Sequence, residues 1–290
     1  MKFWQLLAWV EPQQMLDVAR FAEELGFEGV MMSDHGVFPR DIKTPYPYAE
    51  DGKPPTQADD YYPDCWVSIG AMAAATRRLK LSVGVYVLPL RNVFEIARAT
   101  GTLGLLSNNR FILGAGIGWM KEEYEIYGTD FHTRGKRLDE SIDALRLLWQ
   151  GKMVEYHGEL IDFPPLQISP APALPIPIYL GGTSAPALRR TALKADGWIG
   201  FTNTPEEMIQ LLRSLQRMRK DAGREYLSFR TVAILATPPA VAAFRRIEEA
   251  GVTDGVNAPF VYTCGGRYST LDQKKRVMER FAEDIIRRCS

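Results

Sequence analysis

The sequence predicts an α/β fold whose simplest form is a (β/α)8 TIM barrel. Short apolar runs alternate with longer segments of helical period, which is the pattern of a parallel sheet covered by helices. Eight such pairs follow one another without a domain-sized linker, and α/β barrels of this length routinely form one domain. A doubly wound sheet gives similar local patterns and is the alternative. We therefore expect one barrel domain over residues 1–290, with insertions after strands two and four.

The predicted strands are the short apolar runs, of which the first reads "FWQLLAWV". They cover residues 3–10, 29–33, 79–87, 110–114, 176–180, 195–200, 229–235 and 251–257. Asn108 and Asn109 form the turn that leads into the fourth strand.

The predicted helices are the segments in which apolar residues recur every three or four positions. They include residues 12–25, 64–76, 93–106, 138–149 and 277–285, and further helices fit between the later strands. The clearest runs from Leu138 to Trp149, and Gly151 follows where glycine commonly ends a helix.

Two segments depart from the alternation and are expected to be insertion loops. Residues 36–60 are rich in proline, have no apolar period and follow strand two, on the face where barrel active sites lie. Residues 153–177 combine the hairpin-like "MVEYHGELIDF" with a proline-rich connection. Each is a candidate lid, and the alternative is an ordinary surface loop.

Composition excludes several classes of function. Lys plus Arg and Asp plus Glu both number 35, so charge gives no reason to expect nucleic acid or an anionic membrane as partner. The three cysteines are scattered, which argues against disulfides and zinc. With neither a recognisable signal peptide nor an apolar run of membrane-spanning length, a cytoplasmic protein is expected. Hydrolase and metal-site motifs are missing, so we expect no metal and an organic cofactor.

Two positions carry candidate chemistry. His35 follows strand two beside Asp34, where an imidazole can exchange protons near neutral pH, although a loop histidine bonded to backbone is the alternative. His132 and His157 have no evident acidic partner and are expected to be structural. In "YLGGTSAPALRR", Gly181 and Gly182 end strand five, and Thr183 or Ser184 caps the next helix. Such a turn suits an anion, or is simply a tight strand-to-helix connection.

The chain resembles the bacterial luciferase-like flavin barrels, most of all their branch that uses the deazaflavin F420. The resemblance extends to about Gly200 and weakens afterwards. It rests on segments in family order, among them "AEELGFEGVMMSDH" (22–35), "AAATRRLKLSVGVYVLPLRN" (73–92), "LSNNRFILGAGIGWMKEEYEIYG" (106–128) and "PIYLGGTSAPALRRTALKADGW" (177–198).

The resemblance implies roles for individual residues. Asp34 and His35 would lie near the redox centre of the cofactor. A bulge with a non-proline cis peptide at Gly84-Val85 would support its ring. The bare strand end at Gly114 and Gly116 would leave room for that ring. The turn formed by Gly181, Gly182, Thr183 and Ser184 would bind phosphate. Trp119 stands where the family's sugar-phosphate dehydrogenases carry a glutamate, so it is expected to wall a different substrate pocket or to belong to the core.

The expected function is hydride transfer between F420 and a small organic substrate. One alternative is a two-component monooxygenase that uses O2 and FMNH2 supplied by a separate reductase. Another is a non-catalytic homologue that only binds flavin or deazaflavin. Beyond the small-molecule substrate, the expected partners are a second copy of the chain, since the family often dimerises, and a separate flavin or F420 reductase.

Overall fold

The fold is a closed parallel barrel of eight strands surrounded by helices. A computed structural model describes residues 1–202 and 204–289. In chain order the strands are β1 (Lys2–Leu6), β2 (Gly29–Met32), β3 (Lys80–Val83), β4 (Tyr86–Val87), β5 (Phe111–Gly116), β6 (Val154–His157), β7 (Asp162–Leu166), β8 (Ile178–Gly181), β9 (Gly197–Thr202), β10 (Arg230–Leu235) and β11 (Asp254–Asn257).

Helices connect these strands on the outside of the barrel. They are α1 (Met15–Glu24), α2 (Cys65–Ala75), α3 (Val93–Leu106), α4 (Lys121–Ile126), α5 (Arg134–Leu148), α6 (Ala185–Lys194), α7 (Pro205–Asp221), α8 (Val241–Glu249), α9 (Phe260–Thr263), α10 (Leu271–Phe281) and α11 (Arg287–Cys289). Short 3-10 turns lie at Pro12–Gln14, Leu88–Leu90 and Phe131–Thr133, and a π-helical turn at Ala282–Ile286.

The strand order decides between the two predicted architectures. Around the barrel the order is β1, β2, β3, β5, β8, β9, β10, β11, and every neighbouring pair is parallel. The pairing of β11 with β1 closes the ring, which an open doubly wound sheet does not do. The predicted barrel is therefore confirmed, and each of its eight predicted strands overlaps an observed one.

Alternating side chains of the barrel strands build two separate cores. In β1, Phe3 points outward to the helices, whereas Trp4 and Leu6 point into the barrel with residues such as Ile199 and Val232. Because both faces are buried, the strands read as continuous apolar runs in the sequence.

The first and third predicted strands differ from the observed ones in a way that bears on the site. The first ends at Leu6, since Trp9 adopts a left-handed φ of 60° and Pro12 begins a 3-10 turn. The third is divided into β3 and β4 by a cis peptide at Gly84–Val85, which confirms the bond that the resemblance implied. Both changes lie at the carboxyl ends of the strands, which we call the mouth of the barrel.

The two insertions differ in structure. Residues 36–60, the first insertion, consist of turns and bends without helix or strand. The second contains the antiparallel hairpin β6–β7, as its sequence indicated. The Glu140 carboxylate on α5 fastens that hairpin by accepting the N–H groups of Glu159, Leu160 and Ile161. Over the described ranges, no helix combines the length and apolar character needed to cross a bilayer.

Candidate active site

Asp34 lies at the mouth, two residues beyond β2, and its carboxylate is committed to neighbouring groups. Its Oδ2 accepts the Val87 N–H at 2.9 Å, and Arg91 Nη2 lies 3.3 Å from its Oδ1. Burial raises the pKa of the Asp34 carboxyl against the attraction of Arg91 and the hydrogen bond from Val87. Arg91 also donates from Nε to the Tyr86 hydroxyl at 3.1 Å. These contacts tie the end of β2 to β4, and the predicted catalytic role of Asp34 stays a prediction.

His35 faces a different partner, which the sequence did not reveal. Its Nδ1 lies 3.0 Å from Oε2 of Glu123, and the other oxygen of Glu123 accepts the Gly36 N–H at 2.7 Å. The Glu123 side chain is 1% exposed, and that of His35 is 12% exposed. The ring of His35 meets those of Tyr62 and Trp119 edge to face, with centroids 5.3 and 6.1 Å away. His35 therefore belongs to a buried polar pair at the mouth.

The other two histidines lie elsewhere. His157 is on β6, and its Nδ1 lies 2.7 Å from Asp162 Oδ1 on the paired strand β7. The expectation that it has no acidic partner is therefore wrong, because hairpin pairing brings the two side chains together. Both are exposed on the hairpin surface, and His132 lies in the 3-10 turn before α5. In residues 1–202 and 204–289, no three His, Cys, Asp or Glu side chains are grouped to hold a metal ion.

Glycines at the mouth surround the side chain of Val85. A Cβ added at Gly116 would lie 2.5 Å from Val85 Cγ2, and one at Gly181 would lie 2.7 Å from Val85 Cγ1. At Gly114 an added Cβ would be 1.8 Å from the Val83 carbonyl oxygen. These glycines admit the Val85 side chain and the β3 backbone, and contact between them and a cofactor stays a prediction.

The turn after β8 presents backbone donors. Gly182 has a φ of +111°, Ser184 caps α6 by accepting the Ala187 N–H at 3.4 Å, and Gly182 O accepts Trp198 Nε1–H at 2.9 Å. The N–H groups of Thr183 and Ser184 have no hydrogen-bond partner within the described part of the chain. Because they stand at a helix N-terminus, they can receive an anionic group.

Aromatic side chains of the first insertion cover the mouth. Tyr46 lies 5.2 Å from Trp119 and 5.5 Å from Tyr48, and Tyr48 lies 5.3 Å from Phe201 at the end of β9, measured between ring centroids. Burial raises the pKa of Tyr46 and of Tyr48, so both phenols are neutral at physiological pH. Trp119 is half-buried in this cover and is not a core residue.

A cavity of about 550 Å³ opens beside this aromatic cover. It lies between residues 47–50 of the first insertion, Thr183, Phe201 and the first turns of α7. The donor turn after β8 therefore faces an open space of the size that small-molecule ligands occupy.

A family model described as luciferase-like monooxygenase matches residues 5–253. The chain belongs to the luciferase-like monooxygenase family. It is therefore an enzyme of this family.

Two proteins are similar to this chain in sequence. An uncharacterized protein of Mycobacterium tuberculosis is 36% identical over 274 residues, which are 93% of this chain and 94% of that protein. An F420-dependent glucose-6-phosphate dehydrogenase of Nakamurella multipartita is 32% identical over 218 residues, which are 73% of this chain and 60% of that enzyme.

Two solved structures share the luciferase-like fold over the whole chain. A monooxygenase from Streptomyces bottropensis superposes with a TM-score of 0.79 at 17% identity, covering 100% of both chains. The coenzyme F420-dependent tetrahydromethanopterin reductase of Methanopyrus kandleri gives 0.77 at 15% identity, covering 100% of this chain and 99% of the other. At these identities the likeness concerns the fold.

Proposed function

We propose that the protein is an F420-dependent oxidoreductase acting on a small, uncharged organic substrate. The observation that carries the proposal is the juxtaposition of three features at one mouth. These are the Val85 floor between bare glycines, the donor turn at Thr183 and Ser184, and the buried His35–Glu123 pair. F420 has a flat ring, a phosphate and a ring carbon that accepts or releases hydride. The relative named as an F420-dependent dehydrogenase supports this choice of cofactor.

Different residues would bind the ring and the phosphate of the cofactor. Val85 would support the flat ring. Glycine at positions 116 and 181 keeps the Val85 side chain in place, because a Cβ at either position would collide with Val85 and displace it. The unpartnered N–H groups of Thr183 and Ser184, together with the dipole of α6, would hold the phosphate. The residues present therefore fit a cofactor of this shape, with its phosphate toward the cavity beside Thr183.

When bound, F420 supplies a two-electron hydride acceptor or donor. His35 would exchange the accompanying proton with the substrate. If the substrate is oxidised at a carbon that bears a hydroxyl, its C–H electron pair leaves as hydride and its O–H proton goes to the imidazole. In the reverse direction the imidazolium returns that proton. A positioned acid or base of this kind typically contributes about 10²–10⁴-fold to a rate.

The aromatic cover is the basis for the proposed substrate class. Trp119, Tyr46 and Tyr48 present neutral rings to the mouth, and the nearby Arg91 is already paired with Asp34. Such a wall favours an apolar, uncharged molecule over a sugar phosphate. In the same position the cover would keep water from the reacting atoms.

Equilibrium titration of the purified protein with F420 and FMN tests the cofactor. We expect tighter binding of F420, and weaker binding of the same deazaflavin without its phosphate. Clear preference for FMN would overturn the proposal in favour of a two-component monooxygenase.

A His35→Ala variant tests the enzymatic role. Turnover is expected to fall about 100-fold with F420 affinity unchanged. Unchanged turnover would remove His35 from the reaction. Tight F420 binding by the wild type, without oxidation or reduction of a broad substrate panel, would support a binding protein instead.

A further inference from the structure

The side chain of Glu123 is a buried carboxylate to which the proposed function assigns no step of the reaction. It lies in the first turn of α4, and its side chain is 1% exposed. A buried carboxylate is stable only where hydrogen bonds compensate for lost hydration. Its Oε1 accepts the Gly36 N–H at 2.7 Å, and its Oε2 lies 3.0 Å from His35 Nδ1. Both contacts go to the residues that follow β2.

The contact with Nδ1 sets the tautomer of His35. An ionised carboxylate can only accept hydrogen bonds, so the ring nitrogen that faces it must carry the proton. In a neutral imidazole the other nitrogen, Nε2, then keeps a free lone pair. Nε2 has no hydrogen-bond partner among residues 1–202 and 204–289. The rings of Tyr62 and Trp119 pack against the imidazole and restrict its rotation.

We propose that Glu123 is a positioning residue that holds His35 as its Nδ1–H tautomer, so that Nε2 accepts the substrate's proton. The part played by Nε2 rests on the proposed function. The tautomer rests on the hydrogen-bond geometry, so the two can be tested separately.

Glu122, the preceding residue on α4, provides a matched control. Its Oε1 accepts the N–H groups of Lys43 and Thr44, at 2.8 and 3.1 Å, in the middle of the first insertion. Both glutamates therefore fasten the same insertion to the same helix, and Glu123 is the one that contacts His35. A general effect on the insertion should appear in both variants, whereas an effect on the histidine should appear in one.

Nitrogen NMR of histidine-labelled protein reads the tautomer directly, without cofactor or substrate. The chain has 3 histidines, and His132→Gln and His157→Gln assign the signals of the other two. At about pH 8.5, where an ordinary imidazole is neutral, the wild type is expected to show His35 protonated at Nδ1 and bare at Nε2. A wild-type ring protonated at Nε2 would overturn the proposal, whatever any variant does.

Glu123→Gln tests the link to turnover. The amide oxygen can still accept the Gly36 N–H, while the NH2 group now donates to Nδ1 and moves the ring proton to Nε2. We expect the tautomer to invert and kcat to fall about 100-fold, with F420 affinity unchanged. Glu123→Asp should keep the wild-type tautomer and part of the activity, and Glu122→Gln should match the wild type in both.

Two results distinguish the failure of this proposal from the failure of the proposed function. If Glu123→Gln inverts the tautomer but leaves kcat unchanged, the positioning role in catalysis is wrong. If the wild type binds no F420, yet the tautomer depends on Glu123 as described, the proposed cofactor is wrong and the positioning by Glu123 stands.

Discussion

Replacing Gly181 with alanine should destabilise the protein through one contact with Val85. The new Cβ would lie 2.7 Å from Val85 Cγ1. Carbon atoms in ordinary contact are about 3.5–4.0 Å apart, so one of the two groups must move by about 1 Å. Overpacking of this kind costs about 1–3 kcal/mol of unfolding free energy.

Val85→Ala should relieve that contact. With both γ-methyl groups removed, the side-chain atom of residue 85 nearest to the new Cβ of residue 181 is the Cβ of residue 85. The two Cβ atoms would lie 3.6 Å apart, which is an ordinary separation. Alone, the truncation removes two half-buried methyl groups and should cost about 1–2 kcal/mol. The double variant should therefore be about as stable as Val85→Ala alone, whereas additive behaviour would give about 2–5 kcal/mol.

Urea unfolding followed by tryptophan fluorescence measures all four members of this cycle. Gly266→Ala is the control, because an added Cβ there meets nothing within 4 Å and the residue lacks a positive φ. Its stability should equal or exceed that of the wild type. If Gly181→Ala lowers the unfolding free energy no more than the control does, or if the cycle is additive, then contact with Val85 is not the reason for glycine at position 181.

Three further results are expected. Trp119→Ala should raise the KM of the organic substrate about tenfold, a loss of about 1.4 kcal/mol, and leave F420 affinity unchanged in a titration. Arg267→Gln should speed tryptic cleavage within residues 36–60, because Arg267 pairs with the buried Asp60 at the end of that insertion. The control Arg20→Gln, which breaks an exposed pair with Asp17, should leave the cleavage rate unchanged. Glu23→Gln should lower the unfolding free energy by about 1 kcal/mol near pH 7, and by progressively less as the pH falls below 4.5. Partial burial alone would raise the pKa of Glu23, but hydrogen bonds from the backbone N–H groups of Arg78, Leu79 and Arg77 outweigh it and lower the pKa. The stabilisation by the Glu23 carboxylate is therefore fully present above the ordinary pKa of 4.5 and is lost as the pH falls through the folded-state pKa. Equal acid sensitivity of the two proteins in urea melts would contradict this last expectation.

The barrel was predictable because its signal is local. Each barrel strand is buried on both faces, so it reads as an apolar run, and each long helix shows its own period. The ends of strands were less predictable. The break between β3 and β4 came from the resemblance, since nothing in "LSVGVYV" marks an interruption.

The site was predictable where a residue follows a strand and unpredictable where a distant side chain holds it. His35 follows the apolar run at 29–33 with only Asp34 between them, a place where barrel enzymes carry functional groups. Its partner Glu123 lies 88 residues further along the chain. The sequence does not distinguish the adjacent Glu122 and Glu123, whose side chains bind different parts of the first insertion.

The three residues after Ser33, which follows β2, show why such partners matter. Asp34 is held by the Val87 N–H and Arg91, whereas His35 and Gly36 are held by Glu123. Two segments from different parts of the chain thus fix consecutive residues, and both follow strands that lie beside β2 in the order β2, β3, β5. The orientation of His35 therefore depends on contacts between segments that are distant in the sequence. It follows that a substitution at Glu123, which would not itself contact the substrate, should lower kcat about as strongly as a substitution at His35.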